Sequence, residues 1–290
     1  GEMFGTGTGN IQALGSLPQA VGAFADWGTG NAVSIANLWN GDFNEGMAGM
    51  NGVVQTNSWF SGWVAEMDGT YNAVSNEIDT AAVNYPHVLN HWAIGNANNG
   101  QQLGGMSRDS SGKNSIAVGA IFHGNTAALG DDEWYYAGDG STPSRGPCAD
   151  GRQHPDMCGP FDWIFTVDQS GSAGYSGTNY YENFGGTSGA TPSVAGCSGI
   201  TYQMYRENFF ENNAAGAWPY SCTVKALMIA DAYQYPIGIN LIDRNVQGWG
   251  TPDMENMYNL GATYHQIDEY PQPMSSGSTW SRNAYSDGTN

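Results

Sequence analysis

Apolar positions along the chain follow two rhythms, and their order predicts the fold. Val53 to Ser58 reads as a short buried strand, and Val88 to Ala93 reads as the next, ending at Gly95-Asn96. Between them, Asn72 to Val83 carries Val74, Ile78, Ala81 and Ala82 at helical spacing on one side. Ser115 to Ile121 and Trp163 to Val167 read as further strands. Thr187 to about Phe210 reads as a long, partly buried helix that opens on small residues and continues through Tyr202, Met204, Tyr205 and Phe209. Ser221 is placed to cap a helix from Cys222 to Asp231. Thr251-Pro252 supplies an N-cap and a first-turn proline for a helix ending near Leu260. Strands alternating with helices predict a parallel sheet with crossover helices, an α/β fold. The first fifty residues are too Gly-rich to assign. Gly124 to Gly159 is turn-rich, with Asp-Gly pairs at 139–140 and 150–151, and the chain after Gly261 is polar and aromatic without a period. No internal repeat divides the chain.

Charge narrows the partners. The net charge of −19 arises from 27 acidic residues against eight Lys and Arg, and only Lys113 and Lys225 are lysines. Such a surface repels nucleic acid and anionic membrane, so nucleic-acid binding is excluded as a function class. No stretch approaches the ~20 apolar residues of a membrane span, and no basic-apolar signal segment is present. The acidity suits a secreted, extracellular protein. The chain starts at Gly1 instead of Met, which points to processing, trimming or a fragment. Four cysteines allow two disulfides in three connectivities. A local Cys148–Cys158 bridge around Asp150-Gly151 is one expectation, and four small buried thiols are the alternative.

The segment Gly186 to Gly196, GTSGATPSVAG, holds the densest chemistry. It sets Ser188 among small residues where an extended segment turns into a helix, with Pro192 expected in the first turn. A hydroxyl beside the free N–H groups of a helix N-terminus is suited to nucleophilic attack and to stabilising an oxyanion. Taken alone, the segment also reads as an N-cap on a Gly/Ala-rich buried helix. Position by position, however, it resembles the active-site serine motif of the subtilisin family of serine peptidases. VLNHWAIGNANNG, Val88 to Gly100, resembles the family segment that carries the oxyanion-hole asparagine, at Asn96. VVQTNSWFSG, Val53 to Gly62, resembles the strand that pairs with an extended substrate. That likeness implies substrate-binding roles for Ser58, Trp59 and Phe60 and for Gly95 opposite. Phe60 departs from the family, which commonly has glycine there, and would narrow the cleft. Lys113 to Ala120, Ser144 to Pro160 and Gln247 to Leu260 resemble further framework segments in family order. The second of these is like a subgroup of bacterial alkaline subtilases.

The resemblance implies a three-layer sandwich with a mainly parallel sheet over residues 1–261, partial at its N-terminus, followed by a tail at 262–290. The strand that carries the family's catalytic Asp is absent from this chain. The reaction it implies is peptide-bond hydrolysis through an acyl-enzyme on Ser188, which needs a histidine base oriented by a carboxylate. No Asp-Thr/Ser-Gly strand precedes the serine. The nearest match to the family's His-Gly-Thr-His helix start is Gly5-Thr6-Gly7-Thr8-Gly9, which puts Thr6 at the degenerate histidine position. His87, His91, His123, His154 and His265 have no spacing that argues for a base. Asp79 reads as a helix-surface residue and Asp168 as a loop carboxylate. Three readings follow: a peptidase domain completed by Asp and His from a missing segment or companion chain, a pseudo-peptidase, or an assembly subunit of a secreted complex or filament. Peptide or protein substrates go with the first, and a homo-oligomer stays open. Asp131, Asp132 and Glu133 form an acidic run that would suit structural calcium; no other cofactor is required.

Overall fold

The computed structural model describes residues 1–22, 52–60, 67–97, 104–134, 142–210, 216–236 and 244–264, with side chains described up to 260. Its centre is a parallel sheet of β1 (Val54–Asn57), β2 (Leu89–Ala93), β3 (Ile116–Ile121) and β4 (Met157–Pro160), ordered β1-β2-β3-β4. Val54 stands beside Leu89, His91 beside Ile116 and Val118 beside Met157. β2 and β3 are buried at every position; β3 accordingly reads as an unbroken apolar run, whereas β2 also buries Asn90 and His91.

Alternation sorts the side chains into two layers. Leu89, Ile116, Val118, Ala120 and Met157 face one side and pack with Ala190, Val194, Tyr202 and Tyr205 of a long helix, α2 (Thr187–Arg206). Trp92 faces the other side and packs with Ile78 and Ala81 of α1 (Ala73–Asn84). The observed fold is therefore α/β with helices on both faces of a parallel sheet. α3 (Ser221–Ala230) adds Val224, Leu227 and Met228 to the α2 side. α4 (Arg244–Gln247) and α5 (Met254–Tyr264) close the described chain. An antiparallel hairpin, β5 (Ile164–Val167) with β6 (Tyr180–Phe184), leads directly into α2.

Local chemistry explains the boundaries. The Asn72 side chain accepts from the N–H groups of Val74 and Ser75, and Ser75 Oγ accepts from the Asn72 N–H, a reciprocal cap that starts α1. Ser221 is the first residue of α3 and not its cap. Thr251 pairs with Tyr233 in a short bridge, so Asp253 starts α5 instead by accepting the Asn256 N–H at 2.8 Å. α2 stops at Arg206, short of the expected Phe210, where Asn208 adopts φ 59°. β4 and β6 lie in segments that carried no strand signal. All four cysteines are free thiols. The expected Cys148–Cys158 bridge does not form because Cys148 packs with Ile94 and Met106, whereas Cys158 packs with Ile121 and Trp134. The expected tail boundary at 261–262 falls within α5. His265 and the rest of the tail lie outside the described residues.

Candidate active site

The carboxyl ends of β1 and β2 and the amino end of α2 meet at one place, the usual position of a site in a parallel sheet. β1 delivers Ser58, β2 delivers Gly95 and Asn96, and α2 delivers Thr187 and Ser188. The helix has no cap of its own, since Gly186 offers no side chain. Asn96 supplies one from 91 residues away: its Oδ1 accepts from the Thr187 N–H at 2.8 Å and from Thr187 Oγ1 at 2.9 Å. An N–H can only donate, so this geometry fixes which amide atom is oxygen and leaves Nδ2 as a free donor among the described residues. The Thr187 hydroxyl in turn accepts from the Gly95 N–H at 3.2 Å.

Two glycines permit this approach. Gly95 has φ +106°, and a Cβ there would meet Met67 Cε at 1.9 Å; Gly186 has φ +77°, and a Cβ there would lie 3.0 Å from Asn96 Nδ2.

Ser188 is the second helical residue and its side chain is half-buried. Its Oγ donates to the Ser58 carbonyl at 3.3 Å, and Ser58 Oγ donates to the Ser188 carbonyl at 2.8 Å. The second bond has a cause in the sequence. Pro192 is the sixth residue of α2, not in the first turn as expected, and stands four residues after Ser188. It lacks the N–H that would ordinarily close the helix bond to the Ser188 carbonyl, and Ser58 fills that vacancy. The Ser188 N–H has no partner among the described residues. Together with Asn96 Nδ2, it leaves two donors without partners among the described residues at the positive end of the helix dipole.

No described imidazole joins this group. His91 is fully buried, with Nδ1 3.0 Å from the Gln55 carbonyl and Nε2 2.7 Å from Ser198 Oγ. Burial pushes its pKa down to about 4. It forms a serine–histidine pair, but one sealed beneath α2. His87 bonds the Pro219 carbonyl and stacks on Tyr220. His123 bonds the Asp162 carbonyl. His154 is buried 3.8 Å from Asp156, and burial lowers its pKa. Thr6 is exposed in the N-terminal segment, where its hydroxyl bonds Thr8.

The remaining sequence-derived residues fall as follows. Trp59 packs edge-on against Trp92, 5.0 Å between centroids, on the α1 side of the sheet. Phe60 is half-buried at the end of the β1 segment. Asp131 accepts from Thr126 Oγ1 at 2.9 Å, Glu133 pairs through its backbone with Phe122, and burial raises the pKa of Asp132. These three do not gather a donor set: among the described residues, no group of three His, Cys, Asp or Glu could hold a metal. Asp168 is a loop carboxylate, holding the N–H groups of Gln169, Tyr175 and Ser176. Asp79 is not the surface residue its helix suggested. It is buried, accepting the N–H groups of Lys113 and Asn114 and the Tyr71 hydroxyl. Sequence reasoning missed Thr187, whose only signal is its place before the serine.

Comparison with known proteins places this geometry. Residues 1–250 match the model of the subtilase family of peptidases. The patellamide maturation protease PatA superposes with a TM-score of 0.61 at 17% identity, covering 89% of this chain and 80% of that one. Its self-cleaved protease domain gives 0.55 at 18% identity over the same shares. The prenylagaramide maturation protease PagA gives 0.49 at 16% identity, covering 74% of this chain and 64% of that one. At such identities the two PatA structures speak for the fold alone. Among the described residues, no helix is long and apolar enough to cross a membrane.

Proposed function

Since the chain belongs to the subtilase family, we propose that it binds extended peptides at the carboxyl ends of β1 and β2 and holds the nucleophilic half of a peptide-hydrolysing site. The observation that carries this reading is the convergence of Ser188, its unpartnered N–H and the Asn96 amide at one helix N-terminus. In the reaction, Ser188 Oγ leaves the Ser58 carbonyl, gives its proton to an imidazole and bonds to the scissile carbonyl carbon. The carbonyl oxygen becomes an oxyanion held by the Ser188 N–H and Asn96 Nδ2. The C–N bond then breaks, the amine takes the proton, and water resolves the acyl-enzyme. The imidazole and its carboxylate come from outside the described residues, on a longer form of the chain or a companion chain. Secretion fits the acidic composition.

The second reading is an inactive homologue with an assembly role. Thr6 favours it, because threonine cannot serve as a base, and losing the base costs about 10⁶ in turnover. A fluorophosphonate probe tests the choice. Stoichiometric labelling of Ser188, abolished in Ser188→Ala, would sink the inactive reading. A folded sample that stays unlabelled, with and without candidate companion chains, would sink the hydrolytic one.

A further inference from the structure

Gly95 precedes the Asn96 amide in the chain, and each of its backbone groups already has a partner. Its N–H donates to Thr187 Oγ1 at 3.2 Å, and its carbonyl accepts from the Ser144 N–H at 2.8 Å. A peptide held at Ser188 therefore meets Gly95 at its Cα. The space beyond that Cα is filled. The point where an L-residue would carry its Cβ is occupied by the methyl group of Met67, with Met67 Sδ 3.4 Å and Ser144 Oγ 3.3 Å from the same point.

Met67 reaches this place from the connection between β1 and α1, and the backbone behind it is pinned. Two residues on, the Gly69 N–H donates to the Met106 carbonyl and the Gly69 carbonyl accepts from the Ala149 N–H, both at 3.0 Å. A Cβ on Gly69 would lie 3.1 Å from both Cys148 Cα and Met106 Cγ, so this stretch of chain has no room to shift toward that side. Met67 itself is buried. Ser144, the other group facing Gly95, is buried too, and its Oγ accepts from the Ala97 N–H at 3.2 Å. Only the Met67 side chain, unbranched with three rotatable bonds, is left to adjust.

A scissile carbonyl held at Ser188 turns its oxygen toward Asn96, and the acyl-side carbon is one bond away. The side chain on that carbon is thereby brought against Gly95. From this juxtaposition we infer that Met67 is the floor of the pocket for the acyl-side residue and restricts that residue to glycine or alanine. The inference deepens the peptide-binding reading of the same site and rests on it. A methyl group fits the little space left over the Gly95 Cα, whereas a benzyl group must first push the Met67 methyl aside. In an apolar pocket a single methylene already changes selectivity by about 10–200-fold, so alanine should be preferred to phenylalanine by at least about tenfold.

The test reads binding, so it does not depend on turnover. The full chain is labelled with ¹³C at the methyl groups of its 11 methionines, and the Met67 signal is assigned by its loss in Met67→Leu. Two neutral peptide aldehydes, acetyl-Ala-Ala-alaninal and acetyl-Ala-Ala-phenylalaninal, are then titrated in. The alaninal peptide should move the Met67 signal and bind at least about tenfold more tightly than the phenylalaninal peptide. Met67→Ala should strengthen phenylalaninal binding by a similar factor and remove the preference, while Met67→Leu, which keeps the bulk, should retain it. Because Met67→Ala also takes away buried packing, Met67→Val is measured beside it and should give an intermediate preference. Binding of both aldehydes with the Met67 signal unmoved, or the same preference in the parent chain, Met67→Val and Met67→Ala, would overturn the proposal and leave the peptide-binding reading standing. Binding of neither aldehyde to any of these proteins would overturn both.

Discussion

Acid should weaken the fold through His91, and the size of the effect follows from its surroundings. The Gln55 carbonyl can only accept, so His91 Nδ1 carries the proton and Nε2 accepts from Ser198 Oγ. A second proton would put a charge in a fully buried place, which is why the pKa falls from 6.5 to about 4. As pH falls below 6.5 the unfolded chain takes up this proton while the native state resists until about 4. The stability tied to neutral His91 is therefore complete above 6.5 and drains between 6.5 and 4. The gap amounts to about 3 kcal/mol in full, with about 2 kcal/mol lost by pH 5. His154, also lowered by burial, acts in the same sense. Glu2, raised by burial to about 8, acts in the opposite sense. The clean measurement is thus a difference. His91→Asn keeps a donor for the Gln55 carbonyl and cannot titrate. Urea unfolding of both proteins at pH 7 and pH 5 should show the variant's deficit shrinking by about 2 kcal/mol at the lower pH. An equal deficit at both values would refute the account.

Other outcomes follow from the same geometry. Ser58→Ala leaves the Ser188 carbonyl without its donor and should cost about 1–2 kcal/mol in thermal or urea unfolding. Thr187→Val removes the hydroxyl link between Asn96 and Gly95; it should cost a similar ~1–2 kcal/mol and slow any fluorophosphonate labelling of Ser188. Gly95→Ala forces a side chain into a positive-φ position and against Met67, and should cost about 2–4 kcal/mol, partly recovered by Met67→Ala in the same unfolding assay. In thiol mapping of the native protein Cys222 should react first, with Cys148 and Cys158 silent until unfolding; early reaction of Cys158 would contradict its burial.

The elements that bury one continuous face were legible in the sequence. β3 is apolar throughout, β2 carries Leu89, Trp92 and Ala93 in a strand-length run, and α1 shows its core face at Ile78 and Ala81. β4 was not, because Met157-Cys158-Gly159-Pro160 has no strand propensity and is held by register with β3, which no local signal encodes. Asp79 was misjudged for a related reason: the loop at Lys113 and Asn114 that buries it comes from 34 residues away. At the site, Ser188 and Asn96 stand out as residue types in context. The bonds that position them, Thr187 to Asn96 and Ser58 to Ser188, span 91 and 130 residues and exist only once the sheet is assembled.

Pro192 divides α2 mechanically. The rung that would tie the Ser188 peptide to the second turn is absent, and the same carbonyl is anchored to the end of β1 instead. A peptide that shifts the tip of β1 by a few tenths of an ångström would pull on the Ser188 peptide plane directly, while the rest of α2 stays fixed against the sheet. The first turn behaves as a small lever on a rigid shaft, and its handle is the strand along which a peptide would lie.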